Sequence, residues 1–240
     1  MCLKNTTLKL MPIMVIAMCS CFNPGVQWGG LVHFATVCST WVFMCRGSTG
    51  RSETNPMGKK TANNTHANVM VTRMIILLLY CIANRVQWVL EQPASSLMHL
   101  HNRFHTLGHV FFAKTFMGAF GAKTRKPTHL FGSHKWIMEL QAHITKEQAA
   151  QLDSSNVTIN YVRPDGRRSV DGGSQLKKTQ EYPPGYGIAV QKHWEAQERI
   201  DDVWEAQDPV CDADESELVA KWNADSWVDA ELQWIGDIVP

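Results

Sequence analysis

The chain has 240 residues, of which 45% are hydrophobic and 19% are charged, and its formal net charge is +1. This composition is that of a globular protein, and the length fits one α/β domain with or without a tail. Seven cysteines, an odd number without regular spacing, argue against a disulfide framework and favour reduced thiols in an intracellular protein. These features are also compatible with a nuclear location.

The near-zero net charge hides a strong asymmetry along the chain. Residues 1–190 contain 20 Lys and Arg but 8 Asp and Glu, whereas residues 191–240 contain 3 and 14. A basic body with an acidic tail predicts either an anionic partner, such as nucleic acid, or shielding of the body by its own tail.

The first segment permits two interpretations. Two lysines precede the apolar run from Leu10 to Met18, so residues 1–22 have the outline of a signal peptide. The alternative is a buried strand or helix with Pro12 near its start. No other apolar run is long enough to span a bilayer, because the block from Met74 to Ala83 is short and flanked by arginines.

The patterns that follow alternate between strands and helices. In chain order they predict a strand at 31–35, a cationic loop at 46–64, a helix at 65–84, a strand at 86–91, a helix at 96–107 and strands at 109–113 and 128–131. The last two strands are close enough in sequence to form an antiparallel hairpin. The predicted fold class is therefore α/β, a truncated Rossmann-like sheet with an antiparallel end hairpin.

The rest of the chain is predicted to be an extension of this domain. A helix is expected at 132–152, a strand at 156–162 and a helix at 188–199. We expect a partial Rossmann-like domain at 1–140, a basic extension at 141–190 and an acidic, Trp-containing, partly disordered tail at 191–240.

Candidate chemistry lies at the predicted carboxyl ends of the strands. Cys38 follows one strand, Glu91 ends the next, and Arg125 lies in the hairpin after it. In open α/β sheets these ends share one crevice, where ligands bind. A thiol near Arg46 or Arg51 would have a lowered pKa and could act as a nucleophile. The alternatives are a small core residue for Cys38 and a helix cap for Glu91.

No metal site is predicted. His101, His105 and His109 recur at intervals of four, with His99 nearby, but no cysteine or acid completes a ligand set.

The order of motifs resembles the latter part of the cytosine-C5 DNA methyltransferase family. Val37-Cys38-Ser39 stands where that family has Pro-Cys, and Glu91-Gln92-Pro93 stands where it has Glu-Asn. Phe120 to Lys126 stands where it has a Gly-containing, Arg-bearing hairpin. The resemblance implies that Cys38 attacks C6 of a flipped-out cytosine, that Glu91 holds the ring nitrogen and that Arg125 is a supporting contact.

The resemblance also implies a cofactor and a partner. The cofactor would be S-adenosylmethionine, but its Gly-rich binding loop, expected within or before residues 1–30, is not found in the sequence. The partner would be nucleic acid, and its contacts are assigned to Ser39, Arg46, Arg51, Gln92, Lys126, Arg167 and Arg168.

The chain more closely resembles a family of uncharacterised proteins of unicellular algae. The shared motifs are Cys38–Val42, Arg46–Arg51, Glu91–Met98, Lys126–Thr128 and Lys177–Pro183. Members of that family often carry more chain before the first motif, so we expect an N-terminally shortened copy.

Three hypotheses about function follow. The first is a degenerate cytosine-C5-methyltransferase-like domain that acts on or binds nucleic acid. The second is a non-catalytic nucleic-acid-binding or interaction protein that uses the basic body. The third is a relic without retained activity, whose incomplete sheet would leave an open edge.

Overall fold

The computed structural model describes residues 13–18, 30–152, 158–166, 168–172, 176 and 179–198. Within these ranges the strands are β1 (Ile13–Met18), β2 (Leu31–Thr36), β3 (Gln87–Pro93), β4 (Phe111–Phe116), β5 (Pro127–Gly132), β6 (Thr158–Val162) and β7 (Arg168–Gly172). The α-helices are α1 (Arg46–Thr49), α2 (Ala62–Ala83), α3 (Lys146–Gln151) and α4 (Pro184–Glu198). Short 3₁₀ segments lie at Phe43–Cys45, Met98–Leu100, Phe104–Leu107, Met117–Phe120 and Lys135–Leu140.

The main sheet is mixed and open, with the strand order β1-β2-β3-β5-β4. β2 and β3 pair in parallel, whereas β5 runs antiparallel to both β3 and β4. β1 pairs antiparallel with β2, and β6 and β7 form a separate hairpin. The α/β class and the antiparallel pairing of β4 with β5 are thus confirmed. The position of β5 between β3 and β4 was not expected from the sequence.

Helix α2 and the turns after β3 cover one face of the sheet. Val71, Met74, Ile75 and Leu78 on α2 are completely buried, and they belong to the same apolar cluster as Trp88 of β3. The helix begins at a cap, because the Thr61 side chain accepts a hydrogen bond from the Asn64 backbone N–H. By length and composition α2 could cross a membrane, but its apolar residues form the core of this domain.

The segment 135–140 and helix α4 cover the other face. Leu31, Val89 and Leu130 of the sheet form a second cluster with Tyr186 and Val190 of α4. Side chains of successive strand residues point to opposite faces, so Trp88 and Val89 belong to different clusters. The segment predicted as a basic extension therefore contributes core residues to the domain that precedes it.

The helix predicted at 96–107 is wrong, because two short 3₁₀ segments occupy this stretch. Local side-chain hydrogen bonds compete with a regular helix here. The Ser96 hydroxyl accepts from the Met98 backbone N–H at 3.2 Å, and Nδ1 of His101 accepts from the Arg103 backbone N–H at 3.2 Å. The apolar spacing that indicated a helix instead places Phe104 and Leu107 against the core.

The single helix predicted at 132–152 is also wrong. The structure has the 3₁₀ segment 135–140 and then a separate helix, α3. A capping box in which Thr145 and Gln148 bond to each other's backbone N–H starts α3 at Lys146. The acidic tail predicted at 191–240 lies outside the described residues, except for the end of α4 up to residue 198.

Candidate functional site

Three of the predicted site residues meet at one edge of the sheet. The strands β2, β3 and β4 run in the same direction, so their carboxyl ends share an edge with the start of β5. Cys38 lies two residues beyond β2, Glu91 lies near the end of β3, and Lys126 directly precedes β5. The topology therefore brings a thiol, a carboxylate and an ammonium group together.

Glu91 is the centre of this site. It is 6% exposed although it carries a charge. The ammonium Nζ of Lys126 lies 3.5 Å from its Oε1, and the hydroxyl of Tyr182 donates a hydrogen bond to its Oε2 at 2.7 Å. Within the described residues Oε1 has no hydrogen-bond donor besides this ion pair. The carboxylate thus retains capacity to accept a hydrogen bond.

The backbone of Lys126 is held in an unfavourable conformation. Its φ is +34°, which is uncommon for a residue with a side chain and doubly disfavoured before a proline. Two hydrogen bonds to its carbonyl hold it in place, from the Met117 N–H at 3.1 Å and from the Thr128 hydroxyl at 2.9 Å. Strain of this kind tends to be retained at functional sites, and here it accompanies the Lys126–Glu91 ion pair.

Aromatic rings and a histidine line the rest of the site. Tyr182 and Tyr186 stack with ring centroids 5.5 Å apart, and the Lys126 ammonium lies 4.7 Å from the Tyr182 ring centroid. His33 contacts both tyrosine rings edge-on, and its Nε2 lies 2.9 Å from the Tyr186 hydroxyl. Burial, followed by the charge of Glu91, raises the pKa of Tyr182, so its hydroxyl is protonated and donates.

The electrostatics of Cys38 contradict one prediction. Burial, and then the negative charge of Glu91, raise the pKa of the Cys38 thiol to about 11. The expected lowering by Arg46 or Arg51 is wrong, because neither guanidinium contributes and Lys126 opposes the shift only weakly. At neutral pH the thiol is protonated, which is unfavourable for a nucleophile in this conformation.

Gln92 has a structural role in the described chain. Its side chain points to the face opposite Glu91, because the two are successive residues of β3. Its Nε2 donates to the Thr36 carbonyl at 2.9 Å and its Oε1 accepts from the Ser96 hydroxyl at 3.0 Å. These bonds join β2, β3 and the turn that follows.

The other residues predicted to contact nucleic acid, apart from Arg167, lie at several places in the described part of the chain. Ser39 is exposed beside Cys38, and Arg125 is exposed beside Lys126. Arg46 donates to the Ser95 carbonyl at 3.3 Å, and its guanidinium lies 5.3 Å from the centroid of the exposed Phe43 ring. Arg168 is exposed on β7, in the separate hairpin, and Arg167 lies outside the described residues.

The Arg51 side chain is buried in the interior, so it is not accessible to nucleic acid. It is 2% exposed, and its guanidinium carbon lies 3.5 Å from the centroid of a Trp41 ring. The same group donates to the Asn68 side-chain oxygen at 2.8 Å and to the carbonyl of Pro56. Burial lowers the pKa of Arg51 to about 10, which leaves it charged at neutral pH. It therefore fixes the loop 46–60 onto α2.

We expect Arg51→Ala to lower the free energy of unfolding by about 3 kcal/mol, because a desolvated cation–π contact and several hydrogen bonds disappear together. Urea denaturation at pH 7 would measure this change. Arg125→Ala is the matched control, since the exposed side chain should change stability by less than about 0.5 kcal/mol. Unchanged stability of Arg51→Ala would contradict the interior role.

Sequence reasoning missed three residues of the site, His33, Tyr182 and Tyr186. His33 is a lone polar residue inside the apolar strand Leu31–Thr36, which is a signal of a buried polar contact. Tyr182 and Tyr186 are four residues apart around Pro183-Pro184, so they lie on one side of the helix start. Their approach to Glu91 spans about 90 positions of sequence and leaves no local signal.

The loop that the resemblance implies for the cofactor would lie within or before residues 1–30, of which the structure describes residues 13–18 and 30. Beyond β2 the sheet continues with β1, which is antiparallel, so no further parallel strand end is present there.

Comparisons with protein-family models, with curated proteins and with solved structures found no match.

Proposed function

We propose that the chain is a nucleic-acid-binding domain related to the cytosine-C5 DNA methyltransferases, and that the site around Glu91 holds a flipped-out pyrimidine. In this proposal the mixed sheet is the second half of a Rossmann-like, doubly wound sheet. The observation that carries the proposal is the convergence of Cys38, Glu91 and Lys126 at one sheet edge. This edge is where ligands bind in such sheets.

The chemistry of the site suits a pyrimidine ring. A buried carboxylate accepts hydrogen bonds from the exocyclic amine of cytosine or from a protonated ring nitrogen. Glu91 has one oxygen without a hydrogen-bond donor among the described residues. Tyr186 offers an aromatic surface for stacking, which contributes about 1–3 kcal/mol per base in single-strand binders. The exposed Arg125 at the rim is suited to a backbone phosphate.

The proposal stops at binding and does not include methyl transfer. The Cys38 pKa of about 11 keeps the thiol protonated at neutral pH, which is unfavourable for attack on a base. The proposed protein is therefore a degenerate member of the methyltransferase lineage that binds bases.

The test is base-dependent binding of single-stranded DNA. Two labelled oligonucleotides that differ in one position, cytosine or an abasic site, are titrated by fluorescence anisotropy at three salt concentrations. We expect the wild-type protein to prefer cytosine. Glu91→Gln should reduce this preference roughly tenfold, since a lost charged acceptor for a base is worth about 1–3 kcal/mol. The salt slope should be unchanged, because it depends on phosphate contacts.

Glu139→Gln is the matched control for this experiment, because Glu139 is an exposed carboxylate outside the site. It should retain the preference of the wild-type protein. A wild-type protein without any preference for cytosine, or an equal loss in both variants, would contradict the proposal.

A further inference from the structure

The start of the C-terminal helix fills the Glu91 site. Tyr182 lies two residues before α4, and its hydroxyl donates to Glu91 Oε2 at 2.7 Å. Its ring is 4.7 Å from the Lys126 ammonium, stacks on Tyr186 and receives the edge of His33. Glu91, Lys126, Tyr186 and His33 are thus all in contact with this one ring.

The contacts of the Tyr182 ring are those that a bound base would make. A planar ring presents a hydrogen-bond donor to a carboxylate, stacks on an aromatic neighbour and lies beside a cation. Cytosine offers the same combination, because its amino group is a donor at the edge of a planar ring. The two rings would compete for the same space beside Tyr186 and Lys126, so the site holds one of them at a time.

Tyr186 and Gly185 of α4 are packed tightly, whereas the Tyr182 side chain lies at the surface of the site. Tyr186 is 3% exposed and bonded to His33, and Gly185 packs so closely on the Phe120 carbonyl that a Cβ would clash. Tyr182 itself is partly exposed. Rotation of its side chain would therefore open the site while α4 stays docked through Tyr186.

We propose that Tyr182 is an internal occupant of the Glu91 site, which excludes a planar ligand until its ring swings out. The identity of that ligand as a pyrimidine rests on the function proposed above, whereas the occupancy by Tyr182 does not. The closed arrangement lowers the apparent affinity for a base in proportion to the fraction of open molecules. Cys38 is half-buried, and its charge is among the influences that raise the pKa of Tyr182, so the thiol lies within electrostatic range of this ring.

The test compares the full-length protein with Tyr182→Ala, Tyr182→Phe and the control Tyr80→Ala, whose tyrosine is 57% exposed on α2. The first readout is the rate of Cys38 alkylation by iodoacetamide at pH 8, mapped by mass spectrometry of the Cys38 peptide. Because burial is the main cause of the raised pKa, we expect Tyr182→Ala to alkylate roughly ten to a hundred times faster. The second readout is protection of Cys38 by added cytidine.

Tyr182→Phe retains the ring and loses only the hydroxyl, so it can be measured in place of Tyr182→Ala if that variant does not fold. We expect it to alkylate Cys38 faster than the wild-type protein, but by a smaller factor than Tyr182→Ala. Tyr80→Ala should match the wild-type rate.

The alkylation rate tests the internal occupant, and protection by cytidine tests the pyrimidine site. Faster alkylation together with protection by cytidine supports both. Faster alkylation without protection supports the internal occupant and overturns the pyrimidine site. An alkylation rate that neither Tyr182 variant changes overturns the internal occupant, whatever cytidine does.

Discussion

Acidification from pH 6.5 to pH 4 is expected to destabilise this protein more than any single substitution. Burial lowers the pKa of His33, His101 and His134 from 6.5 to about 4. The unfolded chain therefore binds protons at these residues at a pH where the folded protein does not. The stability that the neutral histidines contribute is complete above pH 6.5 and is lost as the pH falls toward 4.

The expected magnitude follows from the size of the shifts. Each histidine contributes about 3 kcal/mol across this range, because one pKa unit corresponds to about 1.4 kcal/mol. Together they give a slope approaching about 4 kcal/mol per pH unit in the middle of the range. Urea denaturation at pH 7, 6, 5 and 4.5 would measure the slope.

A pair of variants tests the contribution of one of these histidines to the slope. His134→Gln removes a partly buried titrating group and should reduce the slope by about 1.4 kcal/mol per pH unit, the value for one proton. His66→Gln changes an exposed histidine of α2 and should leave the slope as it is. An equal slope for His134→Gln and the wild-type protein would contradict the lowered pKa of His134 in the folded state.

Gly132→Ala is expected to be the most damaging conservative substitution in the sheet. Gly132 is the last residue of β5, and it pairs with Val89 on one side and with Phe111 on the other. A Cβ there would lie 2.6 Å from the Trp88 carbonyl oxygen and would overlap the Ile137 side chain. Because a backbone atom cannot move away cheaply, we expect a loss of about 3 kcal/mol or more.

Gly47→Ala is the matched control, because a Cβ at Gly47 meets nothing within 4 Å. Gly47 lies in helix α1, where alanine is favoured over glycine by up to about 1 kcal/mol. The melting temperature should therefore fall in Gly132→Ala and stay level or rise in Gly47→Ala. A Gly132→Ala protein as stable as the wild type would mean that the Trp88 carbonyl and the Ile137 side chain can move away from the added methyl group.

The sequence predicts those features of the site that follow from the direction of neighbouring strands. Apolar runs before Cys38 and up to Glu91 identify two neighbouring buried strands, and parallel strands place their carboxyl ends together. The hairpin that contains Lys126 follows the next strand, which predicts a place for Lys126 at the same edge. These inferences need only the direction of the strands, which the connections between them indicate.

The remaining features depend on packing between distant segments. Tyr182 reaches Glu91 because α4 docks on the sheet, and no local pattern encodes that contact. The charge of the loop 46–64 predicts phosphate contacts, yet Arg51 is buried against Trp41 and donates to Asn68. Nearby arginines in the sequence predict a lowered pKa for the Cys38 thiol, whereas burial and Glu91 raise this pKa in the fold.

The insertion of β5 between β3 and β4 has a consequence for the order in which the protein folds. The β4–β5 hairpin is local and can close early, but its docking onto β3 brings together segments far apart in the chain. During synthesis β2 precedes β3, but the other edge of β3, which ends at Pro93, lacks its partner β5 until Gly132 has been added. At about 5–20 residues per second this interval lasts several seconds. Docking of the hairpin therefore comes late and pairs an edge of β3. Until then, the unpaired backbone groups of that edge could pair with another chain and cause aggregation.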